Sequence, residues 1–226
     1  MAFGDAEART RFILENTSIM PVPHVPEMRL HLASEAHDLW QRTEDELQEI
    51  GLPPPFWAFA WAGGQGLARY LLDNPAVVNG QNVFDFAAGC GLVSIAAAMA
   101  GAASVTGNDV DPFSETAASL NCSLNGVTIH WQASNLLDDR SAMPQCDLFL
   151  CGDVFYDREL ATALLPLLER LASSGTRVLV GDPGRSYLPR DRLHKLASYR
   201  VPVSRELEDS EIKLTNVWHF LPLSCA

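Results

Sequence analysis

The sequence predicts an α/β fold in which a mostly parallel sheet is covered by helices on both faces. From about residue 81, short apolar stretches of strand length alternate with longer segments of helical periodicity. Such alternation is typical of parallel strands joined by helical crossovers, which bury both faces of the sheet. The chain has 226 residues, of which 47% are apolar and 19% are charged. We expect one domain over 1–226, with an accessory layer over 1–80 and a core over 81–226.

The accessory layer is predicted to be mainly helical. Apolar positions between Pro26 and Gly51 recur at helical spacing, which predicts an amphipathic helix that ends at Gly51 and the prolines after it. A turn-rich, aromatic stretch over 56–61 follows. The glycines at 63–66 then lead into a predicted helix over 67–72.

The core consists of strands and helices in simple alternation. Strands are predicted over 82–86, 104–108, 128–132, 147–151 and 177–181. Helices are predicted over 92–100, 112–124 and 158–172. After the fifth strand, a helical piece is expected over 190–197, followed by strands over 199–207 and 214–223. A short charged turn separates these last two strands, so they form a hairpin and give the sheet an antiparallel end.

The turn after the first core strand has the features of a ligand site. Residues 83–92 read V-F-D-F-A-A-G-C-G-L, a strand followed by small residues and then a helix. Small residues let the backbone approach a ligand, and ligands of open parallel sheets bind beyond the carboxyl ends of the strands. Asp109 ends the next strand, eighteen residues after Gly91, where a carboxylate can accept both hydroxyls of a ribose. This layout predicts a nucleotide site, with a purely structural turn as the alternative.

Two kinds of nucleotide fit this turn, and Asp85 distinguishes them. The glycine pattern at 89–94 is one residue short of G-x-G-x-x-G, so a nicotinamide cofactor stays an alternative. A carboxylate at the strand end would repel a pyrophosphate, whereas it would attract the ammonium of S-adenosylmethionine. Asp85 therefore favours S-adenosylmethionine.

The turn resembles the first motif of the Class I methyltransferases, D/E-x-G-x-G-x-G, at residues 85–91. Ala87 replaces the first glycine, which alanine can do if its φ stays negative. The resemblance implies a Rossmann-like seven-stranded mixed sheet, helices on both faces and an N-terminal helical extension. It also implies that Asp109 binds the ribose and that Asn135-Leu136 contacts the adenine. The cofactor-binding residues implied in the core are Asp85, Gly89, Gly91, Asp109, Asn135 and Leu136.

A narrower resemblance begins at the end of the fourth strand. Asp153-Val154-Phe155-Tyr156 matches the D/E-x-x-Y/F signature of the protein-lysine methyltransferase branch. Together with residues 55–65 upstream and 181–185 downstream, it is similar to the family that methylates lysines of the electron transfer flavoprotein β subunit. The resemblance implies methyl transfer from S-adenosylmethionine to lysine ε-amines of that protein.

Asp153 and Tyr156 are the catalytic residues that this resemblance implies. Free lysine has a pKa of about 10.4 and must lose a proton before it attacks. Asp153 is expected to orient the amine, and Tyr156 to offer an aromatic face to the cation. Trp61 is expected to pack over the cofactor, with Gln65 at the same rim. The structural alternatives are a helix N-cap for Asp153 and an aromatic plug for Trp61.

Charge and composition narrow the choice of partners. The formal net charge of −12 argues against nucleic acid or an anionic membrane. The six histidines show no paired metal spacing, so no metal is predicted. Basic residues over 185–200 are interpreted as a solvated helix face, with contact to an acidic substrate as the alternative.

The cysteines and the N-terminus predict a cytoplasmic protein. The five cysteines form no C-x-x-C pair, so reduced thiols are expected, and no basic leader or membrane-spanning run is recognised. Two alternatives for function stay open. One is a Class I methyltransferase that acts on a ribosomal protein or a small amine, and the other is a non-catalytic module that binds a nucleotide and docks a partner.

Overall fold

A seven-stranded mixed sheet forms the centre of the computed structural model, which describes residues 5–33, 54–138, 144–203 and 210–223. The helices in these ranges are α1 (Ala6–Asn16), α2 (Ala62–Asp73), α3 (Leu92–Met99), α4 (Pro112–Asn125) and α5 (Arg158–Ser173). The strands are β1 (Ser18–Val22), β2 (Val25–Leu32), β3 (Asn82–Phe86), β4 (Ser104–Asn108), β5 (His130–Gln132), β6 (Leu148–Gly152), β7 (Arg177–Asp182), β8 (Leu193–Pro202) and β9 (Ile212–Phe220).

The strand order of this sheet is β5-β4-β3-β6-β7-β9-β8. Strands β3 to β7 pair in parallel, whereas β9 runs antiparallel to both β7 and β8. The predicted seven-stranded mixed sheet with an antiparallel end is therefore confirmed. Successive strands move outward from β3 to β5, and the chain then returns to place β6 on the other side of β3. The gap between β3 and β6 is the switch point, where ligands of open α/β sheets bind.

Alternate residues of the central strands enter two separate hydrophobic clusters. Val83 packs with residues of α2 and α3, whereas the next residue, Phe84, packs with residues of α5. The ring of Phe84 stacks on that of Phe149 at 5.5 Å between centroids. Four leucines of α5 at helical spacing bury the second face of the sheet: Leu164, Leu167, Leu168 and Leu171. Helices on both faces are therefore confirmed.

The prediction of a helical piece over 190–197 is wrong. Residues Arg190–Arg192 form one 3-10 turn, and β8 starts at Leu193. The apolar residues here have a spacing that also fits a helix, but pairing of β8 with β9 along their whole length satisfies the backbone in the extended form. The predicted strand over 199–207 overlaps β8 only in part, and residues 204–209 lie outside the described ranges.

The accessory layer contains a β-hairpin as well as a helix. Strand β2 occupies Val25–Leu32, where the amphipathic helix was predicted to begin, so that part of the prediction is wrong. The remainder of the predicted helix lies outside the described residues. Tertiary contacts explain the strand: Asn121 Oδ1 accepts the N–H of His31 at 2.7 Å, and Asn125 bonds both the N–H and the C=O of Arg29. Helix α4 thus holds the hairpin through its backbone.

Two further properties concern the described residues alone. None of their helices combines the length and the apolar character that a membrane span needs. The four cysteines among them are free thiols: Cys90, Cys122, Cys146 and Cys151.

Candidate active site

A cavity of about 570 Å³ lies at the carboxyl ends of β3, β4 and β6, beside the switch point. The turn after β3, the end of β4, the loop after β6 and the aromatic stretch before α2 line it. Its volume falls within the range of small-molecule sites, roughly 300–1,000 Å³. Seven of the ten predicted site residues line this cavity: Trp61, Asp85, Gly89, Asp109, Asn135, Asp153 and Tyr156.

Glycines shape the turn between β3 and α3. Gly91 has a φ of 79°, and a Cβ added to it would lie 2.9 Å from the Cβ of Ala118. This position requires glycine, so Gly91 shapes the turn. Gly91 is predicted to bind the cofactor, but it is not among the residues that line the cavity. Gly89, with a φ of 52°, does line it. Its N–H donates to Asp109 Oδ2 at 3.0 Å, which ties the turn to the end of β4.

Ala87 adopts the left-handed conformation, with a φ of 54°. The condition under which alanine was expected to replace the glycine, a negative φ, is therefore not met. Two hydrogen bonds of 2.9 Å close the turn, from the N–H of Ala88 to the C=O of Asn108 and from the N–H of Gly91 to the C=O of Ala88. They hold the backbone in the path that a glycine would take, at a cost of about 1 kcal/mol for alanine. The turn thus keeps its shape without the first glycine of the motif.

Asp85 is a buried carboxyl group at the end of β3. Its residue is 1% exposed, and Ser94 Oγ donates to its Oδ2 at 2.6 Å. Burial raises the pKa of Asp85 to about 7, and the nearby charge of Asp109 also raises it. A carboxylate that is costly to ionise alone becomes favourable to ionise beside a cation. Asp85 therefore provides a binding position for a positively charged group.

Asp153 follows β6 and is fixed from three directions. It has a φ of 59°, its Oδ2 accepts the N–H of Gly64 at 3.0 Å, and its own N–H donates to the C=O of Gly181 at 3.0 Å. Its Oδ1 accepts from Arg185 Nε at 3.0 Å and from Nη2 at 2.7 Å. Asp157 is the N-cap of α5, so the N-cap alternative for Asp153 at that helix is wrong. The carboxylate of Asp153 instead lies at the N-terminus of α2, where it is stabilised as an anion.

Aromatic rings lie beside Asp153 in the cavity wall. The Phe56 ring is 6.0 Å from Trp61 and 5.6 Å from Tyr156, centroid to centroid. Trp61 Nε1 donates to the C=O of Phe56 at 3.0 Å, which fixes the indole. Tyr156 is 48% exposed, so this group opens toward solvent. We call the group of Asp153, Phe56, Trp61 and Tyr156 the lysine slot, after the acceptor that the sequence resemblance implies; a carboxylate among aromatic faces suits an alkylamine.

Gln65 and Leu136 are predicted to bind the cofactor, but neither of them lines the cavity. Gln65 is 1% exposed, and its side chain accepts the N–H of His24 at 3.0 Å and donates to the C=O of Ala60 at 2.7 Å. Leu136 packs in the core cluster of α5, and Leu137 lines the cavity instead. Helix α2 begins at Ala62, earlier than predicted, and this turns Gln65 inward.

Arg185 is the main wall residue that sequence reasoning missed. It was grouped with a solvated basic stretch, yet it reaches Asp153 and lies with its guanidinium 5.9 Å from the Trp61 ring centroid. A usable signal was its place three residues after the end of β7. Parallel strands β6 and β7 end at the same edge of the sheet, which brings the loops of Asp153 and Arg185 to one side of it.

Comparisons with known proteins agree with this geometry. The family model described as ribosomal protein L11 methyltransferase (PrmA) matches residues 68–174. The electron transfer flavoprotein beta subunit lysine methyltransferase of Xenopus laevis is 42% identical over 217 residues, 93% of this chain and 86% of that protein. The protein of the same name from Homo sapiens is 37% identical over 98% of this chain and 85% of that protein. A solved ribosomal protein L11 methylase from Lactobacillus delbrueckii subsp. bulgaricus shares the fold, with a TM-score of 0.50 and 24% identity over 72% of this chain and 81% of that one.

The strand order, the glycine turn and the cavity at the switch point define a Class I methyltransferase, whose methyl donor is S-adenosylmethionine. The two named relatives match this chain over most of both lengths, accessory layer included. The chain belongs to the electron transfer flavoprotein β subunit lysine methyltransferase family.

The cavity residues fit S-adenosylmethionine. Asp85 offers a buried carboxylate for the ammonium of the methionine part, and Asp109 offers a carboxylate for hydroxyl groups. Gly89 has no side chain, so only its backbone lines the cavity between them. Asn135 and Leu137 offer polar and apolar contacts for a base. These residues would hold the donor.

We expect the affinity for S-adenosylmethionine to rise about tenfold between pH 5.5 and pH 7. The raised pKa of Asp85, about 7, means that the group is mostly neutral at pH 5.5 and half ionised at pH 7. The amino group of the donor stays mostly protonated over this range, so only the ionised carboxyl forms the ion pair. Calorimetric titration at both pH values measures the change. Asp85→Asn is the control and should bind weakly at both, whereas equal wild-type affinities would contradict the pairing.

Gln65→Leu should destabilise the protein and leave the cofactor site intact. The substitution leaves the N–H of His24 and the C=O of Ala60 without their partners inside the protein. We expect a loss of about 2 kcal/mol in the free energy of unfolding and a melting temperature about 5 °C lower. Thermal unfolding and calorimetric titration test both points. A large loss of affinity for S-adenosylmethionine at unchanged stability would restore Gln65 to the cofactor rim.

Proposed function

We propose that the protein transfers a methyl group from S-adenosylmethionine to a lysine ε-amine of the electron transfer flavoprotein β subunit. The observation that carries the proposal is the lysine slot, which shares its wall with the cofactor cavity. Its carboxylate and aromatic faces suit an aliphatic amine, and its exposed Tyr156 makes it reachable from the surface of another protein.

The extent of similarity supports this choice of substrate. The relatives named for the flavoprotein β subunit match 93% and 98% of this chain, so they include the accessory layer. The L11 methyltransferase model matches only residues 68–174, which carry the shared cofactor-binding half. A ribosomal protein or a small amine is therefore the less favoured substrate.

The chain's own residues bind, orient and shield the reactants. When bound, S-adenosylmethionine would supply a sulfonium-linked methyl group, whose carbon is open to attack by the lone pair of a neutral amine, with S-adenosylhomocysteine as the leaving group. Asp153 is held rigidly by Gly64 and Arg185, so it can orient the amine with little loss of freedom. The rings of Phe56 and Trp61 shield the amine from water.

Charge favours the approach of a basic segment. The chain carries a net charge of −12. Asp109 and Asp111 line the cavity, and Asp157 is the residue after Tyr156 of the lysine slot. A cationic lysine in a basic recognition segment is attracted to such a surface, which raises the rate of encounter at low salt.

A labelling experiment tests the function. The purified protein is incubated with labelled S-adenosylmethionine and recombinant electron transfer flavoprotein β subunit, and lysine methylation is located by mass spectrometry. Ribosomal protein L11 and free polyamines are supplied in parallel as the competing substrates. Methylation of the β subunit alone is expected, whereas methylation only of a competitor, or of none, would contradict the proposal.

A further inference from the structure

A rigid turn after β7 brings Arg185 to the lysine slot. One oxygen of Asp182, the last residue of β7, accepts the N–H of Gly184 at 2.6 Å and the N–H of Arg185 at 2.7 Å. Gly184 has a φ of 99°, which lets the chain reverse direction there. Asp182 is fully buried, so the turn is anchored in the sheet and the start of the Arg185 side chain is fixed.

The guanidinium of Arg185 contacts two members of the lysine slot, Asp153 and Trp61. It donates to Asp153 Oδ1 from Nε and Nη2, at 3.0 and 2.7 Å. It also lies 5.9 Å from the Trp61 ring centroid. The two charged side chains are only 20% and 8% exposed, so water screens their interaction weakly. The charge of Asp153 is therefore matched by a cation that belongs to the protein.

This matching bears on the protonation state of the acceptor amine. A carboxylate without a cationic partner would stabilise the ammonium form of a bound lysine, which has no lone pair to react. A cation close to the nitrogen of the bound lysine favours the neutral amine, as a neighbouring cationic group does for reactive lysines. Arg185 therefore opposes the effect that Asp153 would have alone.

We propose that Arg185 is a positioning residue that cancels the charge of Asp153, so that the lysine slot holds its substrate as a neutral amine. The proton of the lysine leaves to solvent water, and Asp153 keeps its charge and its orientation throughout. This inference rests on the proposed function, since it concerns the acceptor lysine of the same reaction.

Other charged and titratable groups face this pair from the neighbouring elements. Tyr156 and Asp157 lie on the loop after β6, and Arg190 follows Arg185 beyond β7. Asp85 and Asp109 lie in the cofactor cavity. The start of α2 presents no titratable side chain between positions 61 and 66. All of these groups are the same in variants of Arg185, so a comparison of such variants isolates one charge.

The first test is the pH dependence of single-turnover methyl transfer to the flavoprotein β subunit, with saturating enzyme and S-adenosylmethionine. Arg185→Gln should move the rising limb of the profile up by about one pH unit, because the bound lysine then faces the carboxylate of Asp153 without the charge of Arg185. The rate should fall about tenfold near pH 7.5 and recover above pH 9. Arg185→Lys keeps the positive charge, so the rising limb of its pH profile should lie at the wild-type pH even if its rate is lower.

Arg177→Gln is the matched control, since Arg177 begins β7 at the opposite edge of the sheet from Arg185, which follows that strand. Calorimetric titration with S-adenosylmethionine shows whether each variant still folds and binds the donor. The proposal is overturned if Arg185→Gln lowers the rate equally at all pH values and the rising limb of the pH profile does not shift. Arg185 would then be a structural partner of Asp153.

The second test needs no methyl acceptor. The charge of Arg185 lowers the pKa of the neighbouring Tyr156, against the stronger effect of burial that raises it. Tyrosine labelled with ¹³C at the ring carbon that bears the hydroxyl is titrated by NMR, and Tyr156→Phe assigns the signal. Arg185→Gln should raise the pKa of Tyr156 and Arg185→Lys should not. An unchanged pKa of Tyr156 in Arg185→Gln would overturn the proposal even if the flavoprotein β subunit proved not to be the substrate.

Discussion

Asp153→Asn is expected to lower the rate of methyl transfer about 100-fold, because the slot loses the charge that orients the amine and holds Arg185. Asparagine tolerates the left-handed φ of 59° at this position, so the backbone should remain in place. The affinity for S-adenosylmethionine should change by less than about threefold, since Asp85 and Asp109 are untouched. Single-turnover kinetics and calorimetric titration measure the two effects separately.

A second aspartate, at the other end of β6, provides the control for this variant. Asp147 precedes β6 at the opposite end of the sheet, where its Oδ2 accepts the N–H of Asn82 at 2.8 Å. Asp147→Asn keeps an acceptor oxygen there and should retain wild-type activity. If Asp153→Asn were fully active, the lysine slot would not be the acceptor site. If it lost donor binding as well, Asp153 would belong to the cofactor site.

Asp109→Ala is expected to weaken the binding of S-adenosylmethionine about 100-fold, the effect of losing one or two hydrogen bonds to a charged group. The carboxylate is placed to bind hydroxyl groups in the cavity, and it also holds the turn after β3 through the N–H of Gly89 at 3.0 Å. Its other oxygen accepts the N–H of Asp111 at 3.0 Å. Removal therefore takes away a ligand contact and loosens the turn that carries others.

Asp109→Asn separates these two contributions. The amide keeps one oxygen that can accept from Gly89, so the turn should hold and the loss of affinity should be smaller, about tenfold. Calorimetric titrations with S-adenosylmethionine, S-adenosylhomocysteine and a nicotinamide dinucleotide measure both variants. Unchanged affinity in Asp109→Ala would contradict the assignment, and tighter binding of the dinucleotide to the wild type would favour the nicotinamide alternative.

Local patterns were sufficient for the core of the fold. Strands β3 and β4 have the predicted limits, and α5 differs from its prediction by one residue, because their apolar periodicity and caps act within a few positions of the chain. Sequence patterns failed where contacts with residues far away in the chain determine the secondary structure. Strand β2 depends on Asn121 and Asn125 of α4, and β8 depends on its pairing with β9.

The site residues also divide into those whose positions the sequence predicted and those whose positions depended on the tertiary structure. The positions of Asp85, Asp109 and Asp153 followed from their sequence, because each lies at the carboxyl end of a parallel strand, and all such ends share one edge of the sheet. The direction of Gln65 depended on where α2 begins, and the partner of Arg185 depended on the turn that Asp182 anchors. The hydrogen bonds that then hold the two side chains join residues far apart in the chain, His24 with Gln65 and Asp153 with Arg185, and a pattern of residue types along one chain does not encode such pairings.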